Sequence, residues 1–63
     1  MRAFEFHEGE VVHDPGKRII VDLDYVVKFE EEPTSWGVWF SGAGSVFLTK
    51  PAFDRILLAW KSK

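Results

Sequence analysis

Trp36–Leu48 reads WGVWFSGAGSVFL, and the way this stretch pairs with itself decides the fold. Apolar residues alternate along both arms around Gly42-Ala43-Gly44, the pattern of two antiparallel strands joined by a short glycine-bearing loop. With residues 42–44 as a three-residue loop, Phe40 faces Val46, Val38 faces Leu48 and Trp39 faces Phe47. The preceding run, Val26–Glu31, joins the other side. With Glu32-Pro33-Thr34-Ser35 as a four-residue loop, Phe29 faces Val38, Val27 faces Phe40 and Lys28 faces Trp39. One face of the sheet then carries Val27, Phe29, Val38, Phe40, Val46 and Leu48, because strand side chains alternate with period two. A slip of one residue in either hairpin would mix serine and lysine into that face, so the pattern selects this register. The opposite face leaves Trp39 and Phe47 looking outward, with nothing in a 63-residue chain left to cover them. Apolar surface of this kind marks a contact with another subunit, a partner or a ligand.

Downstream, the spacing predicts a helix. Phe53, Ile56, Leu57 and Trp60 fall on one face, Pro51 suits the first turn, and Thr49 is the capping residue. Asp54 lies near the positive end of the helix dipole, and Lys61 and Lys63 lie at the negative end. Upstream, Arg2–His7 alternates with Phe4 and Phe6 on one face, and Gly9 interrupts it. Glu10–His13 reads as a continuation after a bend or bulge. Asp14-Pro15-Gly16-Lys17 is a turn, Arg18–Leu23 alternates again, and Asp24-Tyr25 is a local turn before the next strand. The fold class is α+β: one domain over residues 1–63, an antiparallel sheet of four or five strands in a meander, and a C-terminal α-helix packed on one face.

A chain this short buries only about 60% of the surface its unfolded form exposes. Small domains supplement such a core with disulfides, a metal or oligomerisation. There are no cysteines, while the chain is 46% hydrophobic and 16% aromatic, so self-association as a homo-oligomer is the expected supplement. The net charge of −2, with its eight lysines and arginines scattered, argues against a nucleic-acid footprint. No apolar run has the length of a membrane span, the N-terminus carries acids where a signal peptide needs an apolar stretch, and the expected compartment is the cytosol.

His7, Glu8, Glu10, His13 and Asp14 bunch in sequence, but their spacing matches no helical histidine pair, and a solvated acidic hairpin is favoured over a metal site. Neither a metal nor a cofactor is expected. Pro15-Gly16-Lys17-Arg18 offers two cations beside a glycine without the residue pattern of a phosphate-binding loop; a plain turn is favoured. Should the ligand be a nucleotide, Lys17 and Arg18 would meet its phosphates while an aromatic side chain stacks on its base. Gly42-Ala43-Gly44 is explained by its turn. The strongest ligand- or partner-binding candidates are Trp39, Phe47 and Lys28, with Lys28 over Trp39 as a cation–π pair; burial in a self-interface is their plain reading. Tyr25 supplies a hydroxyl at a rim. An enzyme needs an acid and base or a nucleophile held in a cleft, and none of the serines has a histidine near it in sequence, so catalysis is not expected.

The stretch IIVDLDYVVKF, followed by WGVWFSGAGSVFLTKPAFDRIL, resembles very short bacterial and phage proteins, including the flagellar FlbD-like group. Those proteins run strand, Asp-containing turn, strand, polar turn, strand, Gly-containing tip, strand and amphipathic helix. This chain has Gly-Ala-Gly at the tip where the group carries Asn-Gly or Asp-Gly, and it has extra tryptophans. The resemblance implies the fold and a small, non-catalytic protein; it carries no functional residue across. The functional expectation is a non-catalytic binding protein acting stoichiometrically, as a phage-type inhibitor or sponge that sequesters a small nucleotide-like signal or blocks a host protein. The alternative is a structural or regulatory subunit whose aromatic face serves only assembly.

Overall fold

Pairing in the computed structural model, which describes residues 1–62, follows the alternation of the sequence. The order is β1 (Ala3–Phe6), β2 (Ile19–Asp22), a 3-10 turn (Leu23–Tyr25), β3 (Val26–Glu32), β4 (Ser35–Phe40), β5 (Gly44–Leu48) and α1 (Lys50–Lys61). All pairings are antiparallel, and the fold is α+β as expected, but the strands divide into two sheets, β1-β2 and β3-β4-β5. Asp22 causes the division. Its carboxylate accepts from the Asp24 N–H at 2.9 Å, closing a turn where β2 would otherwise run on toward β3.

Two expected registers change. In β3-β4, Phe29 faces Val38 and Lys28 faces Trp39 as the alternation requires, while Glu32 and Ser35 extend the ladder and leave Pro33-Thr34 as the turn. A bulge between Val26 and Lys28 places Val26, not Val27, opposite Phe40, so Val27 is 65% exposed instead of in the core. In β4-β5 the pairs move by two residues: Val38 faces Val46, Trp36 faces Leu48, Trp39 faces Ser45 and Phe47 faces Gly37. The loop is Ser41-Gly42-Ala43, and Gly44 enters β5 at φ +81°, a left-handed conformation only glycine takes without strain. A shift of two preserves which side chains share a face, so the apolar face survives the correction.

The outer edge of β5 is closed by the segment after Gly9. Val11 bridges Leu48, the Val12 N–H donates to the Phe47 carbonyl at 2.9 Å, and the Thr49 N–H donates to the Glu10 carbonyl at 3.0 Å. The core unites both sheets and the helix through Phe4, Phe6, Val11, Leu23, Val38, Phe40, Leu48, Ala52, Phe53 and Ile56. Thr49 caps α1, its hydroxyl accepting from the Ala52 N–H, with Pro51 in the first turn. Phe53 and Ile56 are buried, Leu57 is half-buried, and Trp60 stays 40% exposed with its ring edge-on to Phe29 at 5.3 Å. Arg55 straps the helix to the N-terminal strand: it pairs with Glu10, donates to the Glu5 carbonyl at 2.9 Å and lies 4.5 Å over the Phe4 ring.

Candidate functional site

The face of β3-β5 turned away from α1 carries two cross-strand rows, Lys28–Trp39–Ser45 and Glu30–Gly37–Phe47. Trp39 and Phe47 are therefore diagonal neighbours, not opposite ones. They still meet, edge to face at 5.7 Å, because Gly37 leaves the space between them open. A Cβ on Gly37 would lie 2.6 Å from Trp39 Cζ3 and 3.1 Å from Phe47 Cε1, so the indole rests directly on the glycine backbone. Lys28 Nζ sits 4.2 Å from the centre of the Trp39 ring, the expected cation–π pair. On the far side, His13 presents an edge to Phe47 at 5.8 Å.

Trp39 and Phe47 are each half-buried. Neither lies under the helix; the cover they have comes from Lys28, from Gly37 beneath the indole and from the Val12-His13 segment. A hollow of about 440 Å³ opens beside Phe47, with Val12, His13, Trp36 and Lys50 in its wall. Gly37 and His13 are parts of this cluster that the sequence reading did not place. A glycine between two tryptophans inside a strand was the available signal for the first. Nothing local signals the second, since the contact depends on the β5 edge being closed by a distant segment.

The remaining candidates lie elsewhere. Lys17 pairs with Asp14 at 3.7 Å, and Arg18 donates through its Nε to Glu5 at 2.8 Å and pairs with the same carboxylate through Nη2. Both cations of the turn thus have carboxylate partners rather than contacts to Trp39. Tyr25, 61% exposed, lines a second hollow of about 350 Å³ together with Ile19, Ile20, Val21, Phe40 and Val46, and this hollow shares no residue with the one beside Phe47. Among the described residues, no group of three or more His, Asp or Glu side chains gathers to hold a metal. Glu10 is held by Arg55 and by the His7 N–H at 2.6 Å.

Among the described residues, three groups have shifted titration. Burial opposes the charge of Glu10, but the Arg55 guanidinium and the His7 N–H outweigh it and hold the carboxyl below its ordinary value. The Asp24 N–H, against some desolvation and helped by the Arg2 N–H, lowers Asp22. Asp54, hydrogen-bonded to Lys50 at 3.1 Å, raises Lys50, and Glu31 adds to the effect. All three belong to structural pairs rather than to the aromatic cluster. No helix among the described residues is long and apolar enough to cross a membrane. No family model matches the chain, and comparison with curated proteins and with solved structures finds no match.

Proposed function

We propose that this chain is a non-catalytic, homo-oligomeric binding protein that acts stoichiometrically, gripping a protein partner with the Trp39-Phe47 face. The observation that carries the reading is the aromatic pair itself: two large rings in edge contact, half-exposed, on the sheet face the helix does not cover. Tryptophan, with tyrosine and arginine, is enriched among the residues that carry the binding energy near the centre of protein interfaces. The protein version is favoured over a nucleotide-like ligand by three contacts. Lys28 already occupies the Trp39 ring, where a base would stack, and Lys17 and Arg18 pair with Asp14 and Glu5 rather than reaching toward that ring. Blocking a host protein is the finer form of the proposal; a phage origin rests on resemblance alone, and a cytosolic setting on a described sequence with no apolar span, no signal-like stretch and no cysteine.

The test is quantitative capture from a host extract by tagged wild-type protein and by Trp39→Ala, followed by native mass spectrometry of the eluate. The expected result is one complex of fixed integer ratio with the wild type and its loss with the variant. Equal capture by both proteins would refute the role of this face. A response of tryptophan emission to added mononucleotides would shift the reading to the small ligand.

A further inference from the structure

β2 is an apolar strand whose second edge has no backbone partner among the described residues. The Leu23 N–H donates to the Arg2 carbonyl at 2.8 Å, which fixes the phase of the β1-β2 ladder. In an antiparallel pair the residues alternate between bonded and unbonded partners. Ile19 and Val21 therefore bond to β1, and the peptide groups of Arg18, Ile20 and Asp22 point away from it. Ile20 is 67% exposed. The hollow of about 350 Å³ is lined by all four residues of β2 together with Tyr25, Phe40, Ala43 and Val46. An unprotected edge of this kind is a template for another strand.

We infer that the edge of β2 pairs with β2 of a second copy of this chain, antiparallel about a two-fold axis at Ile20, which rests on the proposal above that the chain self-associates. The charge pattern argues for this occupant. Residues 18–22 read Arg-Ile-Ile-Val-Asp, so centring the pair on Ile20 sets Arg18 of each copy opposite Asp22 of the other. The same centring places Ile20 against Ile20, and Ile19 against Val21 of the second copy. The phase also fits, because Arg18, Ile20 and Asp22 are the residues whose peptide groups are free to bond. At the usual strand spacing of about 4.8 Å, Ile19 and Val21 of the incoming strand enter the hollow beside Phe40 and Val46. Each Arg18 would then lie between Glu5 of its own copy and Asp22 of the other.

The other edges suit a second copy less well. β5 is covered by Val11 and Val12, and Arg55 bonds the Glu5 carbonyl of β1. β3 is bulged at Val27 and ends in Glu30-Glu31-Glu32 against the single cation Lys28, so two copies aligned there repel. The pairing at β2 leaves the Trp39-Phe47 face available to a different partner.

Sedimentation equilibrium of the wild type, Ile20→Lys, Ile20→Cys and Val27→Cys tests the assignment, with far-UV circular dichroism as the check on folding. The expected results are a wild-type dimer and a folded Ile20→Lys monomer, since two ammonium groups would then face each other across the axis. Arg18→Glu should raise the dimer dissociation constant roughly tenfold, because two exposed ion pairs become repulsive. The chain has no cysteine of its own, so Ile20→Cys should oxidise to a covalent dimer. The facing Cα atoms would be about 5.5 Å apart, within disulfide reach. Val27→Cys, on the β3 edge, should not cross-link. A dimer that survives Ile20→Lys, or that cross-links through position 27 instead of 20, overturns the β2 interface while leaving self-association standing. A wild type that is monomeric at hundreds of micromolar, with no cross-link at position 20, overturns both.

Discussion

Gly37 controls the aromatic cluster more than any other residue. It is buried beneath the Trp39 indole, and a methyl group there would overlap the ring at 2.6 Å. Gly37→Ala is expected to cost about 1–3 kcal/mol through forced repacking, read from the denaturant midpoint, and to weaken the near-UV dichroism of the cluster. A neutral result would mean the indole does not lie on the backbone. Glu10 illustrates charge at the same scale. Its carboxyl is held below the ordinary 4.5, so its contribution to stability is complete above that pH and is lost as pH falls through the lowered native value. Glu10→Gln should therefore be less stable than wild type by about 1 kcal/mol at neutral pH, with the difference shrinking on acidification. Parallel urea titrations at neutral and acid pH would show it; a constant gap would mean that the charge contributes nothing.

The elements explain why some of the fold was legible and some was not. Helix α1 was readable because Thr49, Pro51, Phe53, Ile56 and Lys61 each state a local preference, and Thr49→Ala should cost about 0.5–1 kcal/mol by thermal melting, toward the low end because the capping bond is long at 3.4 Å. The sharing of faces in β3-β5 was readable for a similar reason, since alternation survives any even shift. The pairing itself was not. Gly42 and Gly44 both have positive φ, and a loop over 41–43 or over 42–44 satisfies the same glycines and the same apolar pattern. The bulge at Val27 was equally hidden, since Val26 and Val27 have identical strand preference and only the Asp22-anchored turn decides which one reaches the core. The candidate site divides in the same way. Lys28, Trp39 and Phe47 came together through register parity, and Lys17 finds Asp14 within its own turn, whereas the partners of Arg18 and Arg55 depend on contacts between distant segments that no local pattern encodes.

For the molecule as a whole, the governing fact is how little core 63 residues supply. Among the described residues, ten buried apolar side chains from β1, β4, β5, α1, the 3-10 turn and Val11 converge in a single cluster, with Ile19 and Val21 of β2 and Val26 and Phe29 of β3 packed against it, so each is a large share of the stability. Ile56→Ala, at a fully buried position facing the sheet, should cost about 2–4 kcal/mol and leave a chain of this size largely unfolded at physiological temperature. Unfolding monitored by calorimetry at several protein concentrations would also register assembly, since a midpoint that rises with concentration reports dimer dissociation coupled to unfolding. The division of labour follows from the two sheets. The helix consumes one face of β3-β5, the β2 edge is the one proposed to pair with a second copy, and the face holding Trp39 and Phe47 is the one proposed for a partner.

The position of Trp39 and Phe47 on the face away from the helix is tested most directly by nuclear magnetic resonance on the isolated protein. Resting on Gly37, the Trp39 ring should shift the Gly37 α-protons strongly upfield and give Overhauser contacts to Phe47, and both effects should vanish in Trp39→Ala without disturbing the helix signals. Unshifted Gly37 protons, or contacts from Trp39 to Phe53 and Ile56 of the helix, would contradict the account.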